Sequence, residues 1–240
     1  MSPVIDTILA HRSIRRYTAE PIAKEQLEAI IEAGLAASSS SLLQSVSIIR
    51  ITDRQKRQAL ARLAGEQAYV ASAAEFLVFC IDFQRHFTLD STVRAEFMEL
   101  VLIGAIDAGI MAQNCLLAAE SLGLGGVYIG GLRNCPTEVD QLLDMPPRTA
   151  VLFGMCLGHP AEDPEKKPRL PARVIVHENR YSELDMAEIT RYDQTMHEYY
   201  ARRSSNQKAV TWSTRVIDKL AGESRPHMLS YLHDKGLATR

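Results

Sequence analysis

The sequence predicts a layered fold of helices packed on a largely buried β-sheet, which places the chain in the α/β or α+β class. Strands are predicted from short, mostly apolar runs flanked by glycine or polar residues, at 46–51, 75–81, 126–132 and 150–157. Helices are predicted from apolar residues that recur at helical spacing, at 4–10, 24–37 and 94–122. The run at 75–81 is apolar almost throughout, so we expect helices to cover both faces of the sheet.

The predicted elements have local reasons to begin or end where they do. Pro21 precedes the second helix, and Asp53 is suited to cap a helix that follows the first strand. The helix at 94–122 is apolar nearly all round and rich in glycine and alanine, which is typical of a central helix with close neighbours. Gly123 or Gly125 is expected to end it, as glycine does past a helix C-terminus.

The composition changes after Gly158. Four prolines punctuate a charged, extended stretch, and the region from about 185 to 236 is helical in pattern, polar and rich in arginine. We interpret this region as a helical extension of one domain.

The net charge of −2 argues against a nucleic-acid partner, which would require a basic excess. Any anion site must therefore be local. The first ten residues carry no basic segment and too short an apolar run for a signal peptide.

The cysteines indicate a reducing compartment. Cys80, Cys115 and Cys156 lie in apolar runs and are expected to be buried, unreactive thiols. The longest apolar stretch is interrupted by Asp107 and Glu120, which argues against a membrane span. We therefore expect a cytoplasmic protein that is not bound to a membrane.

Two basic clusters are candidate phosphate sites, because arginine forks match phosphate oxygens. The first is His11-Arg12-Ser13-Ile14-Arg15-Arg16, and the second is Lys166-Lys167-Pro168-Arg169-Leu170-Pro171, which its prolines stiffen. The alternative for each cluster is a solvated surface.

Glycine and serine runs suggest a flat ligand. Residues 123–132 do not form a dinucleotide fingerprint, because a helix precedes the glycines and a strand follows them. Gly130 and Gly131 either allow close approach of a flat ligand or form a plain turn. The serines at 38–41 either end a helix or bond to the edge of a ring. Residues 202–208 are a basic segment whose simplest interpretation is an exposed linker.

Side-chain catalysis has no clear signature in the sequence. There is no G-x-S-x-G, H-E-x-x-H or P-loop motif, and the histidines are scattered, so no metal site is predicted. Basic clusters without a catalytic side chain favour a cofactor that supplies the chemistry itself.

Taken in order, these motifs resemble the FMN-dependent nitroreductase family, in particular its oxygen-insensitive NADPH nitroreductase and flavin reductase branch. The motifs are H-R-S-I-R at 11–15, four serines and a glutamine at 38–44, G-G-V-Y-I-G-G-L-R at 125–133 and K-P-R-L-P at 167–171. The resemblance implies an α+β fold with a mixed sheet flanked by helices, in a domain-swapped homodimer. It also implies a single domain over residues 1–240, with a core over about 1–175 and a helical extension over about 176–240.

The resemblance also assigns site residues. The positions that would hold FMN are His11, Arg12, Ser13, Ile14, Arg15, Ser39, Ser40, Ser41, Leu43, Gln67, Tyr128, Ile129, Gly130, Gly131, Leu132, Lys167 and Arg169. Ser39 to Ser41 would come from the partner subunit. The positions that would contact NADPH or the acceptor are Arg203, Lys208, Arg133 and Arg225.

The implied activity is a ping-pong, two-electron reduction of nitroaromatic compounds and quinones by NADPH, with the chemistry on FMN and no catalytic side chain. One alternative is a flavin reductase that supplies reduced FMN. Two others are a flavin-binding protein without turnover and a dimeric scaffold with solvated arginine surfaces.

Overall fold

A computed structural model describes residues 2–202 and 210–240. The chain divides into two compact units, one formed by Met1–Pro164 with Arg225–Arg240 and the other by Glu165–Ser224. We call them the first and the second unit and describe each by itself.

The first unit contains a four-stranded sheet with helices on both of its faces. Its strands are β1 (Val46–Arg50), β2 (Glu75–Asp82), β3 (Gly125–Ile129) and β4 (Thr149–Gly158). Its helices are α1 (Pro3–Ala10), α2 (Lys24–Leu35), α3 (Arg54–Leu63), α4 (Tyr69–Ser72), α5 (Gln84–Leu89), α6 (Met98–Ser121), α7 (Pro136–Leu143) and, after the second unit, α11 (Met228–Asp234). Two 3₁₀ turns cover Ser40–Leu42 and Gly130–Asn134.

The strand order is β1-β2-β4-β3, and all three strand pairs are antiparallel. The α+β class is thereby confirmed. The mixed sheet that the resemblance implied is wrong for a single chain, because the described residues form no parallel strand pair. The reason is that each central strand, β2 and β4, runs opposite to both of its neighbours.

Both faces of the sheet are buried. Successive side chains of a strand point to opposite faces, and those of β2 enter two different apolar clusters. Phe76 and Val78 pack on the side of α3 and α7, whereas Leu77 and Phe79 pack with residues of α2 and α6. This burial of both faces confirms the prediction and explains why the run at 75–81 is apolar almost throughout.

The long helix α6 is the central helix of this unit. Among the described residues it alone has the length and apolar composition of a membrane span, a test that buried core helices also pass. It packs closely on α2, since a Cβ at Gly34 would lie 2.4 Å from Cys115 Sγ. It ends at Gly123, whose φ of +76° allows the N–H groups of Gly123 and Leu124 to donate to the carbonyls of Glu120 and Ala119.

Other local predictions were partly right. The side chain of Asp53 accepts hydrogen bonds from the backbone N–H groups of Gln55 and Lys56, so the predicted cap is confirmed. The strand predicted at 126–132 is wrong in its second half, because β3 stops at Ile129 and the 3₁₀ turn follows. In this way the chain leaves the sheet at the two glycines.

The second unit is helical. Its helices are α8 (Ala172–Ile175), α9 (Met186–Arg202) and α10 (Trp212–Leu220). Its core is aromatic and lies on one side of α9, with Tyr192, Met196, Tyr199 and Tyr200 buried and Trp212 packed against them.

Candidate functional site

The basic segment after α1 lies along β3. The backbone N–H of Ile14 donates to the Gly126 carbonyl at 3.0 Å, and the hydroxyl of Tyr17 donates to the Ile14 carbonyl at 2.7 Å. A Cβ at Gly125 would lie only 2.5 Å from Ile14 Cγ1, so this close approach requires glycine. The fold therefore places residues 11–15 beside the strand that leads into Gly130 and Gly131.

Carboxylates contact three polar groups of this segment. His11 Nδ1 lies 2.5 Å from Glu120 Oε1, and the guanidinium of Arg12 bonds to Asp163. The backbone N–H of Arg15 donates to Glu162 Oε1 at 2.6 Å. None of the three contacts was predicted from the sequence, in which Glu162 and Asp163 lie shortly before the second basic cluster.

The guanidinium of Arg15 keeps most of its donor capacity. It is exposed, and its one hydrogen bond among the described residues is a long contact of 3.4 Å to the Ser13 carbonyl. Because a guanidinium carries five N–H donors, most of them remain for an external anion.

The outer edge of β3 offers backbone groups to a flat ligand. Among the described residues this strand pairs only with β4, and its other edge has no backbone partner there apart from Ile14. Backbone groups two residues apart point to the same edge, so those of Tyr128 share the edge of Gly126. The ring of Tyr128 is fixed by an edge contact to Phe153, with centroids 5.4 Å apart, and its hydroxyl donates to Gln113 at 3.2 Å.

Two of the residues assigned here cannot contact a ligand through their side chains. Ile129 and Leu132 are both 0% exposed and belong to the core. Only their backbone groups are available to a ligand.

Gln67 and Gly131 lie next to each other, since a Cβ at Gly131 would lie 2.5 Å from Gln67 Nε2. Gln67 Nε2 donates to the Ala64 carbonyl at 2.6 Å, and Gln67 Oε1 accepts from the Tyr69 hydroxyl at 2.5 Å. A Cβ at Gly131 would lie 2.2 Å from the Ala64 oxygen. The second N–H of the Gln67 amide has no partner among the described residues and remains available to a ligand.

Arg133 and Arg225 are held near each other. Arg133 Nη1 donates to the Leu152 carbonyl, and burial, with a smaller contribution from the charge of Arg225, lowers the pKa of the Arg133 guanidinium. Arg225 donates from Nε and Nη2 to Asn134 Oδ1 at 3.0 and 2.9 Å. Both guanidinium groups are half-buried and held by these hydrogen bonds.

The serine loop is anchored on α6. Ser39 Oγ donates to Asp107 Oδ2 at 2.6 Å, and the Ser40 N–H donates to Asp107 Oδ1 at 3.2 Å. Ser41 and Gln44 have φ near +50°, which is strained for residues other than glycine. No hydrogen bond or ion pair among the described residues joins this loop to residues 11–15 or 128–133.

The sequence did not predict that Asp107 of α6 would anchor the serine loop. This aspartate is only 4% exposed and carries one of the few charges within the long apolar helix. A buried aspartate rarely occurs without bonding partners, so its position in that helix was the available signal.

The remaining assigned residues lie elsewhere. Lys167 and Arg169 belong to the second unit. Arg203 and Lys208 lie outside the described residues, so their assignment stays a prediction. The described residues contain no group of three side chains suited to hold a metal ion.

These features fit a flat, anionic cofactor such as FMN. Arg15 offers charged donors, Gln67 offers an amide N–H, and the edge of β3 offers backbone groups that side chains do not shield. Charge-assisted hydrogen bonds of this kind stabilise a phosphate or a polar ring edge by roughly 1.5–3 kcal/mol each.

Comparison with known proteins agrees with this chemistry. Residues 8–159 match the model of the Nitroreductase family, and residues 167–240 match that of the Nitroreductase family, C-terminal domain. Over 240 residues, the full length of each protein, the chain is 68% identical to the NADPH-flavin oxidoreductase of Vibrio harveyi and 52% identical to the oxygen-insensitive NADPH nitroreductase of Salmonella typhimurium. The crystal structure of nitroreductase A from Vibrio parahaemolyticus matches with a TM-score of 0.96, at 65% identity and full coverage of both chains. The chain therefore belongs to the nitroreductase family.

Proposed function

We propose that this protein is an NADPH-dependent oxidoreductase that uses FMN to reduce nitroaromatic compounds and quinones by two electrons in a ping-pong cycle. The similarity that spans the whole chain, to enzymes named for NADPH and flavin or nitro substrates, carries this proposal. FMN, when bound, supplies the redox chemistry, since it accepts hydride and returns two electrons.

The protein's own residues bind FMN and fix its position. Arg15, with His11, Arg12 and Ser13, holds the polar side of FMN, and Gln67 donates to its ring edge. The backbone from Tyr128 to Leu132 faces the ring plane, where it fixes the ring and keeps water from it. No side chain is needed as an acid or base, because solvent can supply the protons that the products take up.

The assigned residues of the second unit and of the segment after it complete the proposal. Lys167 and Arg169 are proposed to bind phosphate, and Arg203 and Lys208 to bind NADPH. Arg225 is proposed to face the acceptor. An arginine at 203 suits the 2′-phosphate, because a guanidinium can bind two phosphate oxygens at once.

A flavin reductase is the second candidate. It is favoured by the relative of 68% identity, which is named NADPH-flavin oxidoreductase. The two candidates differ in whether FMN stays bound during turnover or leaves as reduced flavin.

We propose that the protein is a homodimer through α1 and α6. Both helices carry apolar side chains that are 41–59% exposed. They are Ile5, Ile8, Leu9, Leu102, Ile106 and Ile110. A continuous apolar surface of this kind marks an interface, and a second copy related by twofold symmetry would cover both patches at once. A dimer would also bring a partner's serine loop to the site.

Sedimentation equilibrium tests the dimer. We expect a mass of twice 26.7 kDa for the wild type. We expect Ile106→Glu to be a monomer, because the new carboxylate would be buried without a partner in the dimer interface. The exposed Arg54→Glu serves as the control and should leave the dimer intact. A monomeric wild type at micromolar concentration contradicts the proposal.

A cytoplasmic location is also proposed. All four cysteines are free, and burial raises the pKa of Cys80, Cys115 and Cys156, for Cys115 to about 11, so these thiols resist oxidation. Recovery of the protein with the membrane or periplasmic fraction after cell fractionation would contradict it.

The visible spectrum of the purified protein tests the main proposal. We expect a yellow protein that bleaches on addition of NADPH and regains its colour with a nitrofuran in air. A yellow protein that NADPH does not bleach would be a flavin-binding protein without turnover. A protein that stays colourless after FMN is supplied would not bind flavin, and its basic clusters would then be a solvated surface.

Gel filtration during turnover separates the two candidates. With excess NADPH and no nitro acceptor, a nitroreductase keeps its flavin with the protein peak. Steady-state kinetics test the second candidate, because a flavin reductase reduces added free FMN at a rate that rises with the FMN concentration and saturates.

A further inference from the structure

Arg133 and Arg225 place two neighbouring guanidinium groups at the turn that follows β3. The Arg133 guanidinium lies against Gly130, since a Cβ at that glycine would lie 3.4 Å from Arg133 Nη2. Arg225 bonds to Asn134, the residue next to Arg133, and the ring of His227 bonds to the Arg133 carbonyl at 2.9 Å. The fold therefore holds two positive charges beside the glycines where the chain leaves the sheet.

Neither charge is neutralised within residues 2–202 and 210–240, where no carboxylate forms an ion pair with Arg133 or Arg225. Both side chains are half-buried, and burial, with a smaller contribution from Arg225, lowers the pKa of the Arg133 guanidinium. Like charges that are partly shielded from water repel each other. A bound anion offsets this repulsion, so the pair attracts anions.

The group that anchors Arg225 is a neutral amide. Asn134 Oδ1 accepts hydrogen bonds from Nε and Nη2 of Arg225 at 3.0 and 2.9 Å. An aspartate has nearly the same shape and accepts the same two bonds, but it adds a negative charge and makes a stronger pair with a guanidinium. With asparagine at this position, Arg225 is held in place and its charge remains uncompensated.

Both guanidinium groups keep N–H donors for a ligand. A guanidinium has five such donors. Among the described residues, Arg225 uses two of them on Asn134, and Arg133 uses one on the Leu152 carbonyl. Donors with an uncompensated charge suit a carboxylate or a sulfonate, because such a group accepts two hydrogen bonds from one guanidinium at once.

We propose that Arg133 and Arg225 make the enzyme select electron acceptors that carry a negative charge, such as nitroaromatic carboxylates and quinone sulfonates. The proposal rests on the proposed function, in which the flavin ring faces the backbone at Gly130 and Gly131 and the acceptor faces Arg225. The redox step is unchanged, since a nitro compound, NADPH and one proton give the nitroso compound, NADP⁺ and water. Asn134 is a positioning residue, because it fixes the Arg225 guanidinium without neutralising it.

The test compares two acceptors of similar shape and different charge, 3,5-dinitrobenzoate and 3,5-dinitrobenzamide. Steady-state kinetics at neutral pH give kcat/KM for each acceptor, and we call the ratio of benzoate to benzamide the charge selectivity. Comparing this ratio between proteins cancels the difference in intrinsic reactivity of the two compounds. In a ping-pong cycle the acceptor's kcat/KM reports only the half-reaction with the acceptor, so changes in NADPH binding do not enter it.

Three variants lower the net charge by the same amount. Asn134→Asp adds a carboxylate that keeps both bonds to Arg225, and Arg225→Gln removes the guanidinium. The control is Lys24→Gln, which removes an exposed charge of α2. The control therefore reports the effect of net charge away from the turn.

We expect Asn134→Asp and Arg225→Gln each to lower the charge selectivity by about tenfold or more, the effect of losing one charge-assisted hydrogen bond. For Asn134→Asp, kcat/KM for the benzamide should change less than about threefold, because the shape of the site is kept. Lys24→Gln should keep the charge selectivity of the wild type. In the wild type, added salt should lower kcat/KM for the benzoate more than for the benzamide.

A charge selectivity that both variants share with the wild type would overturn this inference and leave the proposed function intact, provided that the wild type reduces the benzamide with NADPH. Equal losses for both acceptors would also overturn it, since they would show a change of shape and not of charge. If Arg225→Gln fails to fold, Asn134→Asp decides alone, because its side chain is exposed and keeps its size. A wild type that reduces neither acceptor nor a nitrofuran would overturn the proposed function, and this inference with it.

Discussion

Replacing Gly131 with alanine is expected to lower the free energy of unfolding by about 3 kcal/mol, the upper end of the effects of forced overpacking. The added Cβ would lie 2.2 Å from the Ala64 oxygen and 2.5 Å from Gln67 Nε2. The nearer atom belongs to the backbone, so no side-chain rotation relieves the clash. The loop at 64–67 or the 3₁₀ turn must move, and both carry residues proposed to bind FMN. Urea unfolding followed by circular dichroism measures the loss of stability.

Two comparisons make this prediction specific. In Gly130→Ala the nearest atom to the new Cβ is Arg133 Nη2 at 3.4 Å, an ordinary contact, so the loss of stability should stay below about 1 kcal/mol. In Gly131→Ala/Gln67→Ala the side-chain contact is removed and the backbone clash remains. The double variant should therefore be no more stable than Gly131→Ala. Wild-type stability of Gly131→Ala, or its rescue by Gln67→Ala, would show that the backbone contact does not constrain this position.

Replacing Asp107 with alanine is expected to release the serine loop and to weaken FMN binding by about tenfold or more, which corresponds to roughly 1.4 kcal/mol or more. The change removes two hydrogen bonds to a carboxylate, each of roughly 1.5–3 kcal/mol, from Ser39 Oγ and the Ser40 N–H. The loop with the strained residues Ser41 and Gln44 then loses its hydrogen bonds to α6 and keeps those from Arg85 and His86. Fluorescence quenching of FMN by the apoprotein measures the affinity.

Matched variants separate the loop from a general loss of charge. Asp107→Asn keeps an acceptor for the Ser40 N–H and should show an intermediate affinity. Asp234→Ala removes an exposed carboxylate with no side-chain partner among the described residues and should bind FMN as the wild type does. The circular dichroism spectrum of each variant is checked at the temperature of the binding measurement. An Asp107→Ala protein that is folded and binds FMN with wild-type affinity would remove the serine loop from the site.

Local structure followed from the sequence where neighbouring residues control it. The apolar spacing predicted α1, α2 and α6, and the continuous apolar run at 75–81 predicted the doubly buried β2. Asp53 marked the start of a helix and Gly123 the end of another. These features depend on hydrogen bonds and side-chain periodicity within a few residues, which the order of residues alone specifies. The end of β3 was predicted wrongly, because paired glycines are compatible with both a strand and a tight turn.

The family and its cofactors were predictable from the sequence, but the contacts of the candidate site were not. The motif order identified the family, and with it FMN and NADPH, because each motif keeps its place along the chain. The partners of those residues were not predictable. Asp107 lies 68 positions from Ser39, and Asp163 lies 151 positions from Arg12. Pairs so far apart along the chain leave no periodic signal.

By itself, then, the sequence determined a layered fold of helices on a sheet, the four strands, the helices α1, α2 and α6, and the nitroreductase family with its cofactor chemistry. The tertiary structure alone decided the antiparallel strand order, the carboxylate partners of His11 and Arg12, and the contact that requires glycine at 131. It also decided that the amide of Asn134 anchors Arg225 beside Arg133. The physical reason is that local hydrogen bonding and apolar periodicity are properties of short segments, whereas ion pairs and close packing depend on which segments the folded chain brings together.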